Sequence, residues 1–254
     1  MSSDTILSQL IAMSRNLGDP ALDYAILGEG NSSARADADT FWVKASGAEL
    51  RTIGAKGFVQ AGFEPVLQLL ETDGLSDDQV KGSLEAAKVD PGVAARPSVE
   101  TVLHALALQL PGVNFVGHTH PTAINALLCS EKVAEAIAGR LFPDEIVYCG
   151  VAPVYVPYTD PGVPLACKVR DLIQDHVESY GEVPKVVLMQ NHGLIALGST
   201  AGQVENITAM AVKAARVLLG TYALGGPNFM TADAVARIHT RPDEAYRRLE
   251  WGGK

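Results

Sequence analysis

Two apolar runs, Val186-Val187-Leu188-Met189 and Leu194-Ile195-Ala196-Leu197, flank the polar segment Gln190-Asn191-His192-Gly193. Short apolar runs bounded by turn residues are the pattern of buried strands that meet at a polar turn. Other segments follow the same logic. Phe41–Lys44, 114–117, 145–149, 152–157 and 185–190 read as strands, with 194–197 after the turn. Residues 5–17 keep Ile6, Leu7, Leu10, Ile11 and Leu17 on one helical stripe, capped by Ser3 or Asp4. Pro97 opens a helix over Ser98–Leu110, since proline suits a first helical turn. Further helices are predicted at 163–179 and 200–223, and a short one within the polar excursion 74–92. Strands alternating with helices make an α/β fold. No internal repeat or linker divides the chain, so a single domain over 1–254 is expected.

The bulk properties exclude several functions. Hydrophobic residues at 47% and charged residues at 19% are those of a globular protein. A formal net charge of -9 argues against a nucleic-acid surface. No apolar stretch reaches the roughly 18 residues of a membrane helix. Three cysteines, Cys129, Cys149 and Cys167, give neither a disulfide framework nor a CxxC site. The first residues lack the basic leader and apolar core of a signal peptide. A cytoplasmic protein is expected.

His118-Thr119-His120 is the sharpest chemical signal. Alternate side chains on a strand share a face, so both imidazoles can reach one ion. Pro121 lacks a ladder N–H and should end that strand. A bare HxH fits two unrelated histidines equally well. His192, on the turn between the apolar runs, supplies the third ligand of an open catalytic zinc site. Read alone, Asn191-His192-Gly193 simply turns the chain. Glu100 falls in the first turn of its helix, where an acid complements the dipole. His104, one turn on, either packs or supports the site from behind. Gly28-Glu29-Gly30-Asn31-Ser32-Ser33 offers close backbone approach and side-chain donors, as an anion cradle does. Lys44-Ala45-Ser46-Gly47 adds a cation, a hydroxyl and an N–H. Each of these is also an ordinary turn.

In this order, Gly30-Asn31-Ser32-Ser33, Lys44-Ala45-Ser46-Gly47, Pro97-Ser98-Val99-Glu100, His118-Thr119-His120-Pro121 and Asn191-His192-Gly193 resemble the motifs of the class II aldolase/adducin family. The likeness runs from about residue 5 to 225. It implies a three-layer α/β/α fold around a central, mainly antiparallel sheet, and a homotetramer. It also implies one divalent ion, Zn²⁺ foremost, on His118, His120 and His192. Glu100 takes the acid/base position, its pKa raised towards neutrality by a partly dry pocket. Asn31, Lys44, Ser46, Gly47 and Ser98 take the substrate phosphate. The implied reaction is metal-dependent aldol cleavage of a ketose phosphate, or a related hydroxy-ketone, through an enediolate. Two departures bear on substrate. Val99 follows Ser98 where fuculose-phosphate aldolases have a second serine. Lys44-Ala45-Ser46-Gly47 is closer to the 4-epimerases, or to the aldolase half of bifunctional rhamnulose-phosphate aldolases. Epimerisation or decarboxylation on the same site is the nearest alternative, and a non-catalytic adducin-like module is the alternative of another class.

Overall fold

A computed structural model describes residues 3–72 and 74–243. The ends of the expected 1–254 span therefore lie outside the described residues. Ten α-helices occur among the described residues: α1 (Ser3–Leu17), α2 (Phe63–Leu67), α3 (Asp77–Ala86), α4 (Thr101–Leu108), α5 (Thr122–Leu128), α6 (Val133–Ala136), α7 (Pro143–Cys149), α8 (Val163–Tyr180), α9 (Ala201–Tyr222) and α10 (Ala232–Thr240). Seven strands accompany them: β1 (Asn31–Arg35), β2 (Thr40–Lys44), β3 (Phe58–Gly62), β4 (Phe115–Thr119), β5 (Val154–Val156), β6 (Val186–Met189) and β7 (Gly193–Gly198). None of these helices is long and apolar enough to cross a membrane.

The strands form one sheet in the order β3-β2-β1-β4-β7-β6-β5. Every neighbouring pair is antiparallel except β5 with β6. Successive strand residues point to opposite faces, and the two faces are covered by different helices. Val116, Ile195 and Leu197 join one core with α2, α3, α4 and α8. Phe115, Leu194 and Ala196 join the other with α1, α5 and α9. All six residues of β7 are buried. This double cover is why 194–197 reads as an unbroken apolar run. The fold is the α/β/α sandwich that the motifs implied.

Three local readings change. The strand expected at 145–149 is helix α7. Pro143 occupies its first turn, and Asp144 and Glu145 put acids at its N-terminus. Buried Glu145 accepts a hydrogen bond from Arg140 at 2.9 Å, while Ile146 and Val147 face the core. The β-branched pair therefore packs a helix, not a ladder. Next, the helix expected over Ser98–Leu110 spans only Thr101–Leu108. Pro97 instead bridges to Ala45, and Glu100 stands at the N-cap position without a side-chain cap hydrogen bond, which leaves its carboxylate for the site. Finally, the glycine and serine-rich loop contains a central strand, β1. Its hydroxyls are buried yet paired: Ser32 with Ser14 at 2.7 Å, and Ser33 with His104 Nδ1 at 2.7 Å. Partnered hydroxyls can line a core that bare ones could not. Strand β3 was not anticipated either.

Candidate metal centre

The site forms where β1, β4 and β7 end side by side. Asn31 pairs with His118 across β1 and β4, and His118 pairs with Ile195 across β4 and β7. Two glycines allow that closeness. A Cβ on Gly30, which holds φ at +71°, would meet the His118 carbonyl oxygen at 2.6 Å. One on Gly193 would meet the Thr119 carbonyl oxygen at 2.5 Å. The turn between β6 and β7 places Asn191 at φ +54°, a conformation asparagine tolerates, and carries His192 over β4.

His118 Nδ1 lies 3.0 Å from the carbonyl oxygen of Leu194. A carbonyl only accepts, so Nδ1 carries the proton and the lone pair sits on Nε2. His120 hangs just past the strand, its backbone N–H donating to the Tyr24 carbonyl at 2.8 Å. Its Nε2 stands 3.0 Å from that of His118. His192 closes the triangle, with ring centroids 4.9 Å from His118 and 5.2 Å from His120. One ligand atom from each residue lies within 4.8 Å of the others. Three imidazole nitrogens converging this closely suit a divalent ion, so the residues fit the metal centre that the sequence implied. Three imidazoles are also a recurring ligand set for zinc with one position left open.

Glu100 faces this triangle. Its Oε1 lies 3.4 Å from His118 Nε2 and 3.3 Å from His192 Nε2. Asn31 Nδ2 donates to Ser98 Oγ at 2.8 Å and to Glu100 Oε2 at 3.3 Å. Ser98 Oγ in turn accepts from the Glu100 N–H at 3.2 Å. Asn31, Ser98 and Glu100 therefore form one bonded unit, and Asn31 Oδ1 is left buried without a protein partner. Ser46 and Gly47 stand on the neighbouring, exposed turn, tied to the Pro97 segment by the Ser46 N–H donating to Arg96 O at 2.8 Å. Lys44 is buried rather than turned to solvent. Its ammonium donates to Ala48 O at 2.6 Å and to Gly28 O at 3.4 Å, so it braces the two loops beside the site.

Electrostatics correct one expectation. Burial pushes the Glu100 carboxyl up, but the charge of His118 and the hydrogen bonds of His118 and His192 outweigh it. The carboxyl is held well below the usual carboxylate range, not near neutrality. Burial alone would push the His118 imidazole down, yet the charge and hydrogen bond of Glu100 and the Leu194 carbonyl raise it. His120, by contrast, is pushed down to about 3, first by burial and then by the two neighbouring imidazoles. Burial also lowers Lys44, partly countered by Glu100. His104 does not reach the triangle; it packs under Glu100, bonds Ser33, and burial drives it down to about 3. The unassigned acid of the Gly28–Ser33 run, Glu29, places Oε1 3.9 Å from His120 Nδ1. Its only sequence signal was a carboxylate two residues before Asn31.

An α/β/α sandwich with a carboxylate facing three histidines at the ends of its central strands is the arrangement of a class II aldolase-like protein. The family described as Class II Aldolase and Adducin N-terminal domain matches residues 8–219, and the chain belongs to it. A curated relative, the uncharacterized oxidoreductase YuxG of Bacillus subtilis (strain 168), is 30% identical over 185 residues, 68% of this chain. The chain spans about a quarter of that relative (24%). Among solved structures, the N-terminal class II aldolase domain of a Thermoplasma acidophilum protein is 26% identical with a TM-score of 0.66, covering 84% of this chain and 93% of its own. YgbL from Klebsiella pneumoniae, whose name leaves aldolase, epimerase and decarboxylase open, is 20% identical with a TM-score of 0.67, covering 94% and 99%. L-fuculose 1-phosphate aldolase from Glaciozyma antarctica PI12 is 16% identical with a TM-score of 0.66, covering 97% and 86%. These last two show likeness of fold.

Proposed function

We propose that the chain is a metal-dependent aldolase acting on a ketose phosphate or a related hydroxy-ketone. The observation that carries this reading is Glu100 Oε1, set 3.4 and 3.3 Å from the inward nitrogens of His118 and His192. His118, His120 and His192 would hold one divalent ion, Zn²⁺ foremost. When bound, that ion supplies Lewis acidity, easing the build-up of negative charge on a substrate carbonyl oxygen. Glu100 performs the proton transfer. In cleavage it would act first as a base, taking the proton of a substrate hydroxyl. Asn31 steadies Glu100 with its two amide hydrogens, spent on Ser98 and Glu100, and keeps only its bare acceptor Oδ1 for the substrate. Ser98, Ser46 and Gly47 would take the anionic end, with Lys44 holding the two loops and adding positive charge. The exposed Leu22, Ile26 and Leu27 of the loop that runs into β1 give a second copy an apolar surface to cover, in keeping with a homotetramer.

The test is a panel of ketose phosphates given to the zinc-loaded chain, with aldehyde and dihydroxyacetone phosphate as readouts. Cleavage is expected, and Glu100→Gln should lower turnover by about 10²–10⁴ while the melting temperature is kept. Inversion at a single carbon without cleavage would replace this reading with an epimerase. Release of carbon dioxide from an acid substrate would replace it with a decarboxylase. Protein free of metal under every loading condition would leave the adducin-like module.

A further inference from the structure

A histidine that binds a metal through one ring nitrogen gives the proton on the other to an acceptor, which fixes the ring and strengthens the donor. His118 has this arrangement, through Leu194. For His120 the inward nitrogen is Nε2, because it faces His118 Nε2 at 3.0 Å. Its outward nitrogen is therefore Nδ1. The one carboxylate within 4 Å of it among the described residues is Glu29, at 3.9 Å.

The loop that carries Glu29 is shaped around this meeting. Glu29 Oε2 accepts the Ile26 N–H at 3.0 Å, and the Glu29 N–H donates to the Ile26 carbonyl at 3.0 Å. One end of the loop is tied to the site by Tyr24 O, which accepts the His120 N–H at 2.8 Å. The other end is Gly30, packed under the His118 carbonyl. Between them Asp23 and Leu27 hold φ at +60° and +51°. Side chains other than glycine keep such angles only where the surroundings impose them. Leu27 is 78% exposed, so burial does not impose its conformation.

We propose that Glu29 is a positioning residue of the metal centre: it accepts the Nδ1–H of His120 and holds Nε2 toward the ion. This rests on the three-histidine reading above. The 3.9 Å gap exceeds a hydrogen bond, so the proposal requires the Glu29 carboxylate to move closer when the ion is bound. The rival role is that Glu29 merely caps its own turn through Ile26.

Zinc affinity of the full chain, measured by competition with a chromogenic chelator, separates the two roles. Glu29→Ala should weaken zinc about 10–100-fold. Glu29→Gln is the decisive variant, since its amide oxygen can still serve the Ile26 N–H but the charge at His120 is gone. It should keep the metal-free melting temperature, weaken zinc by about tenfold or more, and alter the visible bands of the cobalt(II)-loaded protein. Zinc affinity in Glu29→Gln within about twofold of the parent would overturn the proposal, whatever Glu29→Ala does. His120→Ala is the control. If it keeps parental zinc binding, the metal centre itself is misplaced; if it loses zinc while Glu29→Gln does not, only the role of Glu29 fails.

Discussion

At His104 the folded chain keeps neutral an imidazole that the unfolded chain protonates below about pH 6.5. Its folded pKa, pushed down to about 3 by complete burial, lies below the unfolded value. The unfolded state therefore binds the extra proton between those two values. Stability from this residue is full above pH 6.5 and drains away as pH falls toward 3, by up to about 1.4 kcal/mol per unit. His120 acts in the same direction, while His118, with a raised pKa, contributes stability that is lost as pH rises. Urea melts of the chelator-treated chain at pH 6.5 and 5.0 should differ by about 1.6 kcal/mol more than those of His104→Gln. An equal slope in both would show that folded His104 takes up the proton. Residue types were the most legible level of the sequence. HxH and Asn-His-Gly announce imidazoles that could share an ion, because strand alternation and turn chemistry are local rules. The pKa of Glu100 was not legible. Its direction depends on which charges surround a buried carboxylate, and those arrive from β4 and the β6–β7 turn.

Among elements, the errors share one physical origin. Pattern reading assigns polar residues to loops and β-branched pairs to strands, and tertiary partners reversed both assignments. Strand β1 is polar but central because Ser14 and His104 meet its hydroxyls. Helix α7 carries Ile146 and Val147 because Pro143 and the Arg140–Glu145 pair fix its start. The loop into β1 can be tested through its glycines. Gly30 and Gly47 both hold positive φ, at +71° and +78°, but only Gly30 has backbone where a Cβ would go. Gly30→Ala should cost more than Gly47→Ala, which bears only the conformational penalty of about 1–3 kcal/mol. It should also weaken zinc, since the displaced carbonyl belongs to His118. Thermal melts with and without zinc measure both effects. Equal losses for the two variants would mean that β1 and β4 can move apart freely at the site.

For the whole molecule, the decisive fact is that the ligands come from distant parts of the chain. His118 lies in β4 and His120 just past its end, whereas His192 arrives only after α5 through α8 and β6 have been laid down. The α/β class was legible because it needs only alternation, while sheet order and this convergence depend on long-range pairing that no local window contains. Folding creates the triangle, so an ion that prefers three imidazoles binds the folded chain far better than the unfolded one. Binding of that kind stabilises by about 2.7 kcal/mol when free metal is 100 times the dissociation constant. For a domain of this size that raises the melting temperature by roughly 5–10 °C. His192→Ala leaves the HxH pair intact, in the folded and unfolded chain alike. It should therefore lose most of the zinc-induced shift while its metal-free melting temperature stays close to the parent's, because His192 sits at the rim on a turn and not in either core. Differential scanning fluorimetry across a zinc titration, with chelator as baseline, gives both numbers. A parental shift in His192→Ala would mean that the HxH pair binds zinc alone and that β7 plays no part in the centre.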